Sequence, residues 1–269
     1  MSVSGQESEE LESGEASAVY GPVRSWRVGL SLGVDLLLIN SICSFRCLYC
    51  QLGKINVRTL ERKIYVPTMK VMNDLERSAW AEADIVTISG SGEPTLAANM
   101  GEVIGEIKAR TLKPVLVLTN STTLSEESVR RDLTRADAVF CKLDSADGET
   151  FKIMNRPVEG VTLGSVVEGI KRFRSEFDGR MGIQIMLTRF NQNQVEQLAA
   201  LLEKIRPDEV QLSTPMRPIP RTWNLEARGN SAVSPYPASY MKSLVREEVI
   251  AAVTSLRRLT GLKIISAYS

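Results

Sequence analysis

Cys43, Cys47 and Cys50 fall within eight residues, in the run C-S-F-R-C-L-Y-C. A cubane iron–sulfur cluster has four irons and takes a thiolate on each. The spacing C-x3-C-x2-C supplies three, so one iron is left for a ligand from solution. The chain holds one further cysteine, Cys141, and no histidine. Zinc sites pair such a run with a second Cys or His pair elsewhere, and this sequence has none. Four cysteines in 269 residues do not make a disulfide-stapled scaffold either.

Other polar residues follow short apolar runs, where parallel α/β folds place ligands. Ser89–Pro94 reads S-G-S-G-E-P. It lacks the third glycine of a dinucleotide fingerprint, but Gly92 permits close backbone approach and Glu93 supplies an anion. Thr119-Asn120 follows the next apolar run. An Asn amide both donates and accepts, which suits a ribose diol or a helix-starting turn. Strand alternation sends Lys142 and Asp144 to one side of the sheet and Cys141 to the other. A Lys and an Asp inside a barrel must be paired or functional, so both are candidate catalytic residues. Cys141 reads as a small buried hydrophobe, with a radical-relay thiol as the alternative. Asn155 and Arg156, then Arg217 and Arg221, are candidates for gripping a carboxylate or phosphate of a substrate. With no histidine, any acid or base must be Lys, Glu, Asp, Tyr or Cys.

These residues are spaced along an alternation of strands and helices. Strands are expected at 30–38, 85–88, 115–118, 138–143, 183–187 and 210–212. Helices are expected at 68–80 with Thr68 as N-cap, around Met100–Ile107, from Ser125 as cap through Leu133, around Val166–Phe173, and from Asn191 through Ile205. Six such units argue for an α/β protein with a parallel sheet in one domain. The pattern fits an open doubly wound sheet or a curved partial barrel equally well. A proline-rich stretch after about residue 215, a helix at 240–257 and a strand at 262–267 form a C-terminal extension that would pack beside the sheet and cover part of its mouth.

Residues 1–18 carry five glutamates, no Lys or Arg and almost no large apolar groups. They read as a disordered acidic tail, leaving a mildly basic body over 19–269. That body is far from the basic footprint of a dedicated nucleic-acid binder. No run approaches a membrane span and no signal-peptide pattern starts the chain. The expected compartment is the cytoplasm, which suits free thiols and an oxygen-sensitive cluster.

The cysteine spacing, with Tyr49 just before the third cysteine, resembles the radical S-adenosylmethionine (SAM) superfamily. The resemblance spans about residues 20–215. It implies a partial (β/α)6 TIM-like barrel, a single [4Fe-4S] cluster on Cys43, Cys47 and Cys50, and SAM on the open iron. Reductive cleavage of SAM would give a 5′-deoxyadenosyl radical that abstracts hydrogen from a substrate. It further implies SAM contacts from Tyr49 at the adenine, Gly92, Glu93 and Pro94 at the amino group, Asn120 at the ribose and Thr214 near the adenine. A reductant such as flavodoxin or ferredoxin would be the partner.

Within that superfamily, Y-G-P-V-R-S-W-R-V-G-L-S-L-G-V-D-L, C-S-F-R-C-L-Y-C-Q-L-G, S-G-S-G-E-P-T-L, K-L-D and N-R-P are similar to small relatives of the wyosine-base synthases. Those synthases remodel a guanine in tRNA with pyruvate and a Schiff-base lysine, for which Lys142 is the candidate here. They also carry a second cluster, and Cys141 alone does not hold one. The substrate is therefore expected to be a small metabolite or a nucleobase in RNA. A glycyl-radical-enzyme activase and a non-catalytic iron–sulfur electron carrier are the alternatives.

Overall fold

The computed structural model describes residues 16–38, 41–229 and 237–268. Its frame is one eight-stranded sheet in the order β1-β2-β5-β6-β7-β8-β9-β12, curled into a partial barrel. The strands are β1 (Val19–Ser25), β2 (Gly29–Val34), β5 (Ile85–Ile88), β6 (Val115–Thr119), β7 (Ala138–Lys142), β8 (Arg180–Met186), β9 (Glu209–Ser213) and β12 (Ile264–Ser266). Two-residue pairs lie outside it: β3 (Ile42–Cys43) with β4 (Val57–Arg58), and β10 (Ile219–Pro220) with β11 (Ala238–Ser239). From β2 onward every pairing in the large sheet is parallel.

Among the described residues seven α-helices connect or follow the strands: α1 (Thr68–Glu76), α2 (Met100–Thr111), α3 (Glu127–Leu133), α4 (Gly148–Met154), α5 (Leu163–Glu176), α6 (Val195–Ile205) and α7 (Arg246–Thr260). Alternation along each strand sets the two faces of the sheet. Val86, Ile88, Val115, Val117, Val139, Cys141, Ile183, Ile185, Val210 and Leu212 face the helices, in one core with Ile104, Ile107, Val166, Ile170, Leu198, Leu202 and Val253. The alternate residues line the concave face. Some are apolar, as Leu116 and Phe140 are. Others pair among themselves: Ser31 with Thr87 at 2.7 Å and Gln184 with Gln211 at 2.9 Å.

Several elements differ from the sequence expectation. Strand β1 is antiparallel to β2, and its half-exposed edge residues give no apolar signature. Helix α1 starts after Pro67 with no side-chain cap, and the Thr68 hydroxyl, inside the helix, accepts from Asn99 Nδ2 at 3.0 Å. Helix α3 starts after Glu126, not Ser125. Helix α4 is additional, and Asp147 caps it by accepting from the Glu149 and Thr150 amides. The C-terminal strand is not beside the sheet but in it, pairing with β9. Most of the expected acidic tail, residues 1–15, lies outside the described residues. Ala18 is fully buried and its amide donates to Asp74, so the packed chain begins slightly before residue 19. No described helix is long and apolar enough to cross a membrane.

Candidate active site

The cysteine loop leaves the C-terminal end of β2 and is held from three sides. Strand β3, which ends in Cys43, pairs with β4. The Arg46 and Leu48 amides donate to the Asn155 and Met154 carbonyls at the end of α4, each at 2.9 Å. The S-G-S-G-E-P loop packs behind Cys43: the Glu93 amide donates to Ile42 O at 3.1 Å. A side chain at Gly92 would meet that same carbonyl at 1.8 Å, so glycine is required for the contact.

The three sulfurs differ in their surroundings. Cys43 Sγ accepts from the Phe45 amide at 3.4 Å and from Asn120 Nδ2 at 3.5 Å. Cys47 Sγ accepts from Asn155 Nδ2 at 3.5 Å. All four cysteines are free. Burial, then Glu93, pushes the Cys43 thiol well up. Burial, then Asp144, pushes Cys47 up to about 12, and burial pushes Cys50 up to about 11. Iron must therefore displace protons from these thiols. Among the described residues no three His, Cys, Asp or Glu side chains converge on a single-ion site. A cubane does not ask for that, because each thiolate meets a different iron. Three half-buried cysteines on one loop, two of their sulfurs facing amide donors, fit such a cluster.

Two carboxylates organise the rim. Glu93 accepts from the Thr95 amide at 3.1 Å, Thr95 Oγ1 at 2.6 Å, Thr119 Oγ1 at 2.7 Å and the Asn120 amide at 2.6 Å. It is buried, and burial raises its carboxyl above the usual range against the pull of these donors. Its carboxylate thus ties the end of β6 to the S-G-S-G-E-P loop behind Cys43 and sets Asn120 against Cys43. Asn120 Nδ2 also donates to Ser44 Oγ at 2.8 Å.

Asp144 makes the second knot. It accepts from the Met186 amide at 2.7 Å, Asn155 Nδ2 at 2.8 Å and the Tyr49 hydroxyl, and pairs with Lys142 Nζ at 3.0 Å. Lys142 Nζ also lies 5.1 Å from the Tyr49 ring centre. Tyr49, Lys142, Asp144 and Asn155 are therefore one cluster joined to the cysteine loop. Asp144 itself is saturated, whereas Lys142 is partly exposed on the concave face.

The remaining expected residues are spread more widely. Pro94 is buried at the start of a short 3-10 turn. The Thr214 hydroxyl meets the Tyr268 hydroxyl at 3.0 Å. Arg156 and Arg221 are exposed and are not drawn into the cluster. Arg217 donates to Gln51 Oε1, next to Cys50. Cys141 is fully buried on the helix-facing side, as the alternation predicts.

Sequence reasoning missed the residues that strap the extension down. Gln51 Nε2 donates to Ala227 O at 2.8 Å and the Asn224 amide to Leu52 O at 2.9 Å. Arg228 pairs with buried Asp35 at 3.0 Å, and Asp35 also holds Ser91. The one available signal was Asp35 itself, a carboxylate inside the apolar run L-G-V-D-L-L-L.

A partial β/α barrel with a three-cysteine loop at the C-terminal end of its first parallel strand defines a class of SAM-cleaving iron–sulfur enzymes. The family model of the Radical SAM superfamily matches residues 37–202, and the chain belongs to that superfamily. It is 44% identical over 220 residues to UPF0026 protein slr1464 of Synechocystis, a match covering 81% of this chain and 83% of that one. The fold is similar to TYW1 with a lysine–pyruvate adduct bound, with a TM-score of 0.64 at 15% identity, covering 89% and 78% of the two chains. It is also similar to Streptococcus suis SuiB bound to SAM, with a TM-score of 0.62 at 17% identity, covering 88% and 50%. The protein is a radical SAM enzyme with a [4Fe-4S] cluster and SAM as cofactors, and enzymes of this class require a reductant and a substrate.

Proposed function

We propose that Cys43, Cys47 and Cys50 hold the single cluster and that the substrate is a small polar metabolite bound on the concave face beside Lys142. The observation that carries this reading is the Asp144 knot, which joins Tyr49 of the cysteine loop to Lys142 at the end of β7. The cofactors supply reductive cleavage of the sulfonium S–C5′ bond and a hydrogen-abstracting radical. The chain's own residues do the positioning. Asn120 and Asn155 donate to two of the sulfurs, which tunes a thiolate-bound cluster. Glu93 acts here as a positioning residue for Asn120, while Gly92, Pro94 and Thr214 form the wall on which SAM lies. Lys142 offers a cation to the substrate, and the strap over 215–229 limits solvent access, which strengthens every charge interaction inside.

A small molecule is favoured over RNA because Arg156 and Arg221 are exposed and stand apart from the cluster, and the formal net charge of the chain is only +1. A flavodoxin or ferredoxin is the proposed reductant and the cytoplasm the proposed compartment, in keeping with the free thiols.

The test is isotopic. The reconstituted, reduced protein is given SAM and a perdeuterated small-molecule cell extract, and 5′-deoxyadenosine is analysed by mass. Deuterium in the nucleoside is the expected result, with none from a Cys43→Ala/Cys47→Ala/Cys50→Ala variant. Deuterium transfer only from the RNA fraction would overturn the small-metabolite reading.

A further inference from the structure

We propose that Arg27 and Arg217 form an anion-binding site on the concave face, which takes a carboxylate or phosphate group of the substrate. This deepens the functional reading above and rests on it.

Arg27 lies in the turn between β1 and β2, yet its side chain crosses to the other side of the barrel. Nη2 donates to Ser213 Oγ at 2.6 Å. Ser213 ends β9 and alternates with Gln211 and Glu209, so it faces inward. The guanidinium carbon sits 4.5 Å from the Trp26 ring centre, a cation–π contact. Nε is buried with no hydrogen-bond partner. A buried charged donor without an acceptor is costly, and an arriving anion would satisfy it.

Arg217 follows Ser213 by four residues. Its Nη1 donates to Gln51 Oε1, which places it against the cysteine loop. It is close enough to Arg27 for its charge to add to burial in bringing the Arg27 pKa down to about 10. Burial lowers the pKa of Arg217 as well, with Tyr20 opposing.

Among the described residues neither arginine has a carboxylate within 4.0 Å. The buried acids of this rim are already engaged. Asp35 pairs with Arg228, Asp144 with Lys142, and Glu93 takes four neutral donors. Two half-buried guanidiniums that repel each other and lack a counter-charge are matched by an oxyanion. Carboxylate and phosphate both accept the planar fork in two bonds, and the Ser213 hydroxyl offers a third contact.

The experiment uses the full chain with its cluster loaded, titrated calorimetrically with inorganic phosphate and, separately, with malonate. At least one of the two is expected to bind saturably with one site per chain. Its affinity should fall at least about tenfold in Arg27→Met and in Arg217→Met, as for a lost charge-assisted hydrogen bond. Lys171→Met, on the surface beside Glu168, should bind as wild type does. Arg27→Lys keeps the charge without the fork and should weaken binding severalfold, which covers the case in which the methionine variant fails to fold.

Phosphate-only or malonate-only binding tells which group the substrate carries. The proposal is overturned if neither anion saturates, if both methionine variants bind as wild type does, or if SAM displaces the anion. SAM cleavage by the same wild-type batch separates the two readings. A batch that cleaves SAM yet binds no anion overturns this inference alone, whereas one that fails to cleave overturns the functional reading beneath it.

Discussion

At the N-terminal end of the barrel strands Glu209 is met by Arg180 and Lys263, while at the C-terminal end Glu93 is met by hydroxyls and backbone amides alone. Burial raises the Glu209 carboxyl, but bonds from Arg180, Gln211 and Lys263 overcome it and hold the pKa below its usual range. For Glu93 the balance falls the other way. Cations close the lower end with charge of the protein's own. The upper end holds Glu93 with neutral donors alone, pairs Lys142 with Asp144 and Arg228 with Asp35, and leaves Arg217, and the Arg27 guanidinium that reaches Ser213 from the turn before β2, without a carboxylate. A barrel end that neutralises itself is structural, and one that keeps unpaired cations beside three thiols is built for ligands.

Substitutions sharpen the contrast. Asp144→Ala should have the largest effect, because it strands Lys142, Asn155, the Tyr49 hydroxyl and the Met186 amide together. A loss of about 3–5 kcal/mol is expected from chemical denaturation, as for half of a broken buried pair, and the protein should fail to retain iron. Glu93→Gln places amide hydrogens against existing donors. It should cost about 1–3 kcal/mol and perturb the cluster spectrum, because Asn120 loses its anchor beside Cys43. Asp147→Ala removes the α4 cap and should cost about 1 kcal/mol, with iron content unchanged. Glu209→Gln should cost least, about 1 kcal/mol or less, since Arg180 and Lys263 reach solvent, and it should leave the cluster untouched. A shifted cluster spectrum in Glu209→Gln would break the division between the two ends.

The thiols give a pH-dependent check on the upper end. With the Cys47 thiol at about 12 and Cys50 at about 11, the iron-free protein holds both protonated at pH 8. Alkylation followed by mass spectrometry should run slower there than for free cysteine, whose pKa is about 8.5, and should accelerate only well above pH 9. Reaction at the free-thiol rate at pH 8 would contradict the burial assigned to these side chains.

The sheet strands that face helices were legible in the sequence because their helix-facing residues are apolar and their helices repeat at 3.6 residues. The cysteine loop was legible because its three cysteines lie within eight residues. What escaped was long-range or short. Strand β1 is an edge strand whose exposed residues dilute the pattern. Helix α4 is only seven residues and sits under a motif that draws attention to Asn155. Glu93 reads locally as an anion awaiting a ligand; Thr119 and Asn120, the donors that occupy it, lie 26 and 27 residues away. Arg27 reads as a turn residue, and Ser213, which reveals its place inside the barrel, is 186 residues distant. Local chemistry pointed to the proposed cluster site, but only tertiary structure shows which charges around it are already taken.

The most direct measurement is the electron paramagnetic resonance spectrum of the reduced, reconstituted protein before and after SAM is added. Three protein thiolates and one open iron predict a spin-half cluster signal whose g-values shift on SAM addition, equally in wild type and in Cys141→Ala. A four-iron signal indifferent to SAM, or one lost when Cys141 is replaced, would contradict the account.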